Sequence, residues 1–231
     1  MKVYFISGLG ADKTVFQFLK LNHAEPVFVE WVTPQKNETL PHYALRLKDT
    51  YNMPDDAVIA GLSFGGMLTT EIAKVFPETK AILLSSSKTR KEIPPFYRTG
   101  KHFSLHKLVS PKMQRWFMLR IKSWFDLKTP AFIKVYEELI ANSDTKFNNW
   151  AVSALLNWDN TTVPTNITHI HGTYDKILPY KYVSCHYTIQ KGGHLMVMEQ
   201  AQEVSKILND LINEYINASS LNKEPANYSK A

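Results

Sequence analysis

Gly61-Leu62-Ser63-Phe64-Gly65 sets a single serine between two glycines. A run of small apolar residues, Ala57 to Ala60, leads into it, and the spacing Met67, Leu68, Ile72, Val75 that follows is helical. Glycines two before and two after a residue let backbone pass close by. The turn is then tight, and the central side chain is thrust outward at a strained φ/ψ. The pattern fits the G-x-S-x-G nucleophile elbow, in the strand-to-helix setting that motif requires. A serine hydroxyl is a poor nucleophile at neutral pH and needs a neighbouring base to take its proton. Imidazole titrates in the right range for that work. His194 follows Gly192-Gly193, and Asp175 closes the stretch His171-Gly172-Thr173-Tyr174-Asp175. Hydroxyl, imidazole and carboxylate together suit acyl transfer. Plainer readings compete: Ser63 as a helix cap, Asp175 and His194 as turn residues. A cap has no need of flanking glycines, which favours the chemical reading of Ser63.

These residues need elements to bring them together. Short apolar runs at Val3–Ile6, Val27–Trp31, Ala57–Ala60, Ala81–Leu84, Ile167–Ile170 and His186–Ile189 read as six strands. Helical periodicity separates most of them, as in Tyr43, Leu45, Leu47 and Tyr51. Strands alternating with helices predict an α/β fold whose mainly parallel sheet is covered by helices on both faces. Ser7-Gly8-Leu9-Gly10, Ser63, Asp175 and His194 each fall just after a strand, on the edge where open α/β sheets bind ligands. The carboxylate has no rival on that edge. Ser85-Ser86-Ser87-Lys88 after the fourth strand holds no acid, and Asp159 precedes the fifth strand.

Between the fourth and fifth strands the rhythm breaks into helices alone, with starts at Ser110-Pro111, Thr129-Pro130 and Asp144. The division expected is a core of residues 1–87 and 151–216, an inserted helical cap of 88–150, and a polar, frayed tail of 217–231. Met113, Trp116, Phe117, Ile121, Trp124 and Phe125 give the cap a broad apolar surface. Most of it is expected to pack onto the sheet or neighbouring helices, with part lining a pocket.

SGLGA at 7–11, GLSFGG at 61–66, HGTYDKILP at 171–179 and KGGHLMVME at 191–199 together resemble a capped member of the α/β-hydrolase superfamily, over nearly the whole chain. The chain order Ser63, Asp175, His194 matches that superfamily's nucleophile, acid and base. The resemblance implies that His194 takes the Ser63 proton while Asp175 fixes the imidazole tautomer. It also implies that the backbone N–H groups of Leu9 and Phe64 hold the oxyanion. Two departures stand out. Many relatives carry a hairpin before the glycine-rich loop, whereas here the loop follows the first strand, so the sheet is minimal. Ser7 stands where relatives often have histidine, a position that supports the loop more than the chemistry.

The implied activity is hydrolysis of a carboxylic ester on a small or medium substrate, with no cofactor. Thioester or carbon–carbon bond hydrolysis, lyase chemistry, and a ligand-binding receptor with little turnover remain open alternatives. His169 and His171 lie two apart in a strand and share a face, so a metal pair competes with two structural histidines, and the structural reading is preferred.

Composition bounds the rest. The chain has 231 residues, 44% hydrophobic and 21% charged, enough for one sizeable core. Its one cysteine, Cys185, allows no internal disulfide and reads as a small core residue. With no signal-peptide pattern at MKVYFISGLG, a cytoplasmic location is expected and five Asn-x-Ser/Thr sequons read as chance matches. No stable membrane anchor is expected. The net charge of +6 is uneven: residues 88–128 hold eleven Lys or Arg against Glu92 and Asp126, leaving the remainder acidic. That basic segment reads as a solvated face, with attraction of an anionic substrate or an acidic membrane surface as alternatives. No nucleic-acid motif accompanies the charge.

Overall fold

The computed structural model describes residues 1–99 and 110–221. Lys101 and Lys107 of the basic segment, and the sequon at Asn227, lie outside the described residues.

Six strands form one sheet: β1 (Lys2–Ile6), β2 (Glu25–Val29), β3 (Val58–Leu62), β4 (Lys80–Leu84), β5 (Ile167–Gly172) and β6 (Tyr187–Ile189). Their order is β2-β1-β3-β4-β5-β6, every neighbouring pair parallel. Strand alternation divides the apolar side chains between two cores. Val3, Phe5, Ala60 and Ile82 face one side, and Tyr4, Ile6 and Ile59 the other. Each face is covered. Helices α1 (Leu40–Thr50) and α2 (Phe64–Val75) pack beside Tyr4, Ile6 and Ile59. The opposite face meets the long C-terminal helix described below. Val75, expected on the apolar face of α2, is instead exposed at the end of that helix.

Between β4 and β5 lie α3 (Pro95–Thr99), α4 (Pro111–Arg120), α5 (Pro130–Asn142) and α6 (Thr145–Asn157). Ser110 caps α4 by accepting from the Met113 N–H, and Asp144 caps α6 by accepting from Lys146 and Phe147. Thr129 makes no such bond of its own. α6 runs through position 150 without a break and packs Phe147 and Trp150 against Trp31, Tyr43 and Phe64.

After β6 come α7 (Met196–Glu199) and α8 (Ala201–Leu221). α8 presses Val204, Leu208, Leu211 and Ile212 into the core on the face of Val3 and Phe5. The helix continues past Asn217 to Leu221, so the fraying expected from 217 does not begin there; residues 222–231 lie outside the described residues. No described helix is long and apolar enough to cross a membrane.

Candidate active site

β1 and β3 are neighbours, yet the chain leaves β1 in one direction for β2 and leaves β3 in the other for β4. The loops after them therefore part at a topological switch point, where open α/β sheets form a crevice. Ser63 sits there. Its backbone is left-handed, with φ 51° and ψ −115°, a conformation that costs a non-glycine residue on the order of 1–3 kcal/mol. Surrounding bonds hold it. The Ser63 N–H donates to the Leu84 carbonyl at 2.9 Å, and its own carbonyl accepts from Gly66 N–H at 3.0 Å and Ser86 Oγ at 2.6 Å.

The flanking glycines are required by close approach. A Cβ on Gly61 would lie 2.4 Å from the Gly65 carbonyl oxygen, and one on Gly65 would lie 2.2 Å from the Ile6 carbonyl oxygen. Strand, helix and first loop touch without side chains between them. The Ser63 hydroxyl makes no helix-capping bond, which sets aside the capping role.

Instead it meets the histidine. Ser63 Oγ lies 2.9 Å from His194 Nε2, and His194 Nδ1 lies 2.7 Å from Asp175 Oδ2. Asp175 Oδ1 accepts the N–H groups of Ile177 and Leu178 at 2.9 and 2.8 Å. A carboxylate so placed accepts from Nδ1–H. The lone pair of Nε2 is thereby left facing the serine hydroxyl. Asp175 and His194 are buried, while Ser63 is half-buried and reachable. All three residues singled out from the sequence come together in one hydrogen-bonded line.

The first loop closes against this line. Gly8 approaches so nearly that a Cβ on it would lie 3.2 Å from Ser63 Cβ. Ser7 Oγ donates to the Ala11 carbonyl at 2.9 Å, and Trp31 Nε1 donates to the same oxygen at 3.0 Å, bracing the loop. Among the described residues, neither the Leu9 N–H nor the Phe64 N–H donates to a backbone carbonyl. A groove of about 150 Å³ opens nearby between Gly10, Trp31, Asn148 and Leu139, although Ser63 is not in its wall.

Behind Asp175 stands a second buried layer. His171 Nε2 faces the Leu178 carbonyl at 2.8 Å and lies 3.5 Å from Asp175 Oδ2. Its Nδ1 meets His169 Nε2 at 3.3 Å. Burial holds both imidazoles below their ordinary value, His169 well below, and Asp175 opposes the shift at His171. A neutral His171 must keep its proton on Nε2 to satisfy the carbonyl, so Nδ1 accepts from His169 Nε2–H. The shared face of these two residues is thus filled by a bond from ring to ring. Tyr97 of α3 is also near, its hydroxyl pushed up to about 12 by burial and then by the Asp175 charge.

The turn after α4 reaches His194. Phe125 sets its ring edge-on to His194, with centroids 5.6 Å apart, and packs on Tyr136 of α5. Gly193 makes room, since a Cβ there would lie 2.4 Å from Asp126 Cβ. Glu199 of α7 locks the next step. Its carboxylate accepts the N–H groups of Lys128 and Thr129 at 2.6 and 2.8 Å and the Thr129 hydroxyl at 2.9 Å. The cap for α5 therefore comes from the core, seventy residues along the chain. An Asp or Glu beside a helix start in sequence would have announced itself; this one does not.

The apolar surface expected to pack inward is divided. Phe125 and Met118 join the core, but Met113, Trp116, Phe117 and Trp124 point to solvent. Helical periodicity alone could not say which of two apolar faces was the inner one. Cys185 also departs from expectation, lying half-buried before β6 with Sγ 3.5 Å from Thr188 Oγ1.

A family model for the alpha/beta hydrolase family matches residues 3–207. The chain belongs to that family. No curated protein matches its sequence. Solved structures match in fold. An esterase from Exiguobacterium antarcticum superposes with a TM-score of 0.69 at 14% identity, covering 92% of each chain. A thermophilic esterase from Thermogutta terrifontis, bound to malate, gives 0.67 at 16% identity over 93% of this chain and 90% of its own. A meta-cleavage product hydrolase from Pseudomonas fluorescens gives 0.65 at 16% identity over 93% and 91%. At such identities the likeness is one of fold, and this alpha/beta hydrolase must be read from its own site.

Proposed function

We propose that this alpha/beta hydrolase is a serine esterase that cleaves a carboxylic ester of small or medium size through an acyl-enzyme. The observation that carries the reading is the unbroken line Ser63 Oγ, His194, Asp175, at 2.9 and 2.7 Å. Ser63 Oγ attacks the ester carbonyl carbon as its proton passes to His194 Nε2. The imidazolium, supported by Asp175, then protonates the departing alkoxide, and the acyl group stays on Ser63. Water, deprotonated by His194, releases the acid and restores the serine. The Leu9 and Phe64 N–H groups are assigned to the oxyanion, that of Phe64 with the positive end of the α2 dipole behind it. Losing one such donor typically costs about 3–4 kcal/mol of transition-state stabilisation.

The inserted helices act in this reading as a cap, with Phe125 excluding water beside His194 and strengthening the charges it encloses. Rates on p-nitrophenyl esters of increasing acyl length, beside the matching thioesters, test the proposal. Ester turnover well above the uncatalysed rate, falling off at long chains, is expected. Absence of turnover on every ester, with thioesters cleaved, would move the assignment to a thioesterase. Absence of both would leave a receptor.

A further inference from the structure

Five of the twelve large hydrophobic side chains that stand exposed among the described residues fall between Met113 and Trp124. Met113, Trp116 and Phe117 are 50%, 61% and 55% exposed. In α4 they follow the spacing i, i+3, i+4, so they share one outward face, with Arg120 completing it at i+7. The guanidinium of Arg120 lies over the Trp116 ring at 5.8 Å. The inward face is separately satisfied: Gln114 bonds Asn149, Arg115 bonds the Ser143 carbonyl, and Met118 packs in the core. The outward stripe is therefore not a consequence of packing. A soluble surface gains nothing from two bulky aromatics side by side in water.

Charge indicates what covers the stripe. From Pro111 to Phe125 there are four cations, Lys112, Arg115, Arg120 and Lys122, and no acid. Two carboxylates around this segment pair with lysines, Glu137 with Lys122 at 2.8 Å and Asp126 with Lys128 at 3.0 Å. A second copy meeting the stripe face to face would bring two such cationic sets together, which opposes self-association. Aromatic and aliphatic side chains ringed by Lys and Arg instead match a bilayer's headgroup boundary, where indole rings and basic side chains both settle.

We propose that α4 and the turn after it dock this protein on an anionic lipid surface. Met113, Trp116 and Phe117 enter the boundary of headgroups and acyl chains, while Lys112 and Arg120 meet lipid phosphates. The turn that carries the exposed Trp124 also carries Phe125, whose ring rests on His194. Docking would thus bring the roof of the site to the lipid surface.

Sedimentation of the full chain with phosphatidylcholine vesicles, with and without phosphatidylglycerol, tests the proposal at low and high salt. Expected is binding to the anionic vesicles, lost at high salt and weak on neutral ones. Trp116→Ser with Phe117→Ser, and separately Lys112→Glu with Arg120→Glu, should each lower the partition coefficient at least about tenfold. All four side chains are outward, so turnover of a soluble ester should stay at the wild-type level in both variants. No binding of the wild type to anionic vesicles overturns the proposal, as does equal binding to neutral ones. A concentration-dependent dimer, or binding of an oligonucleotide in place of vesicles, that the same variants abolish would assign the stripe to those partners instead. The salt and lipid dependence of the wild type reads out even if a variant fails to fold.

Discussion

The sheet edge that holds Asp175 and His194 and the inserted helix α4 follow opposite rules. At the edge, Asp175 has partners on both oxygens and His194 on both nitrogens, and both side chains are buried. On α4 no side chain is fully buried, and Trp116 and Phe117 are each more than half exposed. One region is fixed by interlocking backbone and polar contacts; the other is tied to its neighbouring helices on its inner side alone, through Gln114, Arg115 and Met118. The difference teaches that a closed polar network and an outward apolar face can be kept apart within one small fold. Damage to the first should abolish chemistry, while damage to the outer face of the second should leave it intact.

Ser63→Ala breaks the comparison at its strongest point. Turnover of p-nitrophenyl butyrate should drop by about 10³-fold or more with the circular dichroism spectrum unchanged. Asp175→Asn should follow, with a loss of about 10³-fold, because an amide cannot support the imidazolium; measured rates within tenfold of wild type would unseat it. Glu199→Ala removes three hydrogen bonds from the start of α5. Urea titration should show about 1–3 kcal/mol of lost stability.

A smaller effect comes from His169 and His171. Burial holds both below the ordinary imidazole value, so the unfolded chain takes up their protons first as the pH falls through about 6.5. Their contribution is complete above that pH and is lost below it, by up to about 1.4 kcal/mol per pH unit for each ring. Urea midpoints between pH 7.5 and 5.5 check the slope, which His169→Gln should flatten. The smallest effect is expected for Trp116→Ser with Phe117→Ser, whose kcat/KM on a soluble ester should stay within about twofold of wild type.

Why one region was readable in the sequence and the other was not follows from the same contrast. Gly61 and Gly65 are visible because only glycine tolerates backbone at 2.2–2.4 Å from where a Cβ would be. Strand runs such as Ala81–Leu84 announce burial on both faces, and their alternation with helices announced a parallel sheet. The proline-led starts at Ser110 and Thr129 located α4 and α5. What the sequence hid were long-range partners and orientation. Glu199 capping α5 and Phe125 against His194 are contacts across about seventy residues that no local pattern encodes. The outward turn of Trp116 was hidden because α4 is apolar on both sides, and only the position of its neighbours decides which side is inner.

The central claim is that Ser63 is the activated nucleophile of an acyl-transfer site, and covalent trapping tests it most directly. The folded protein is treated with a fluorophosphonate and the labelled peptide is identified by mass spectrometry, beside Ser63→Ala and urea-unfolded wild type. Activation depends on the 2.9 Å contact with His194, so one adduct per chain is expected, on the peptide containing Ser63 and in the folded wild type alone. An adduct on another residue, or equal labelling of the unfolded chain, would contradict the account.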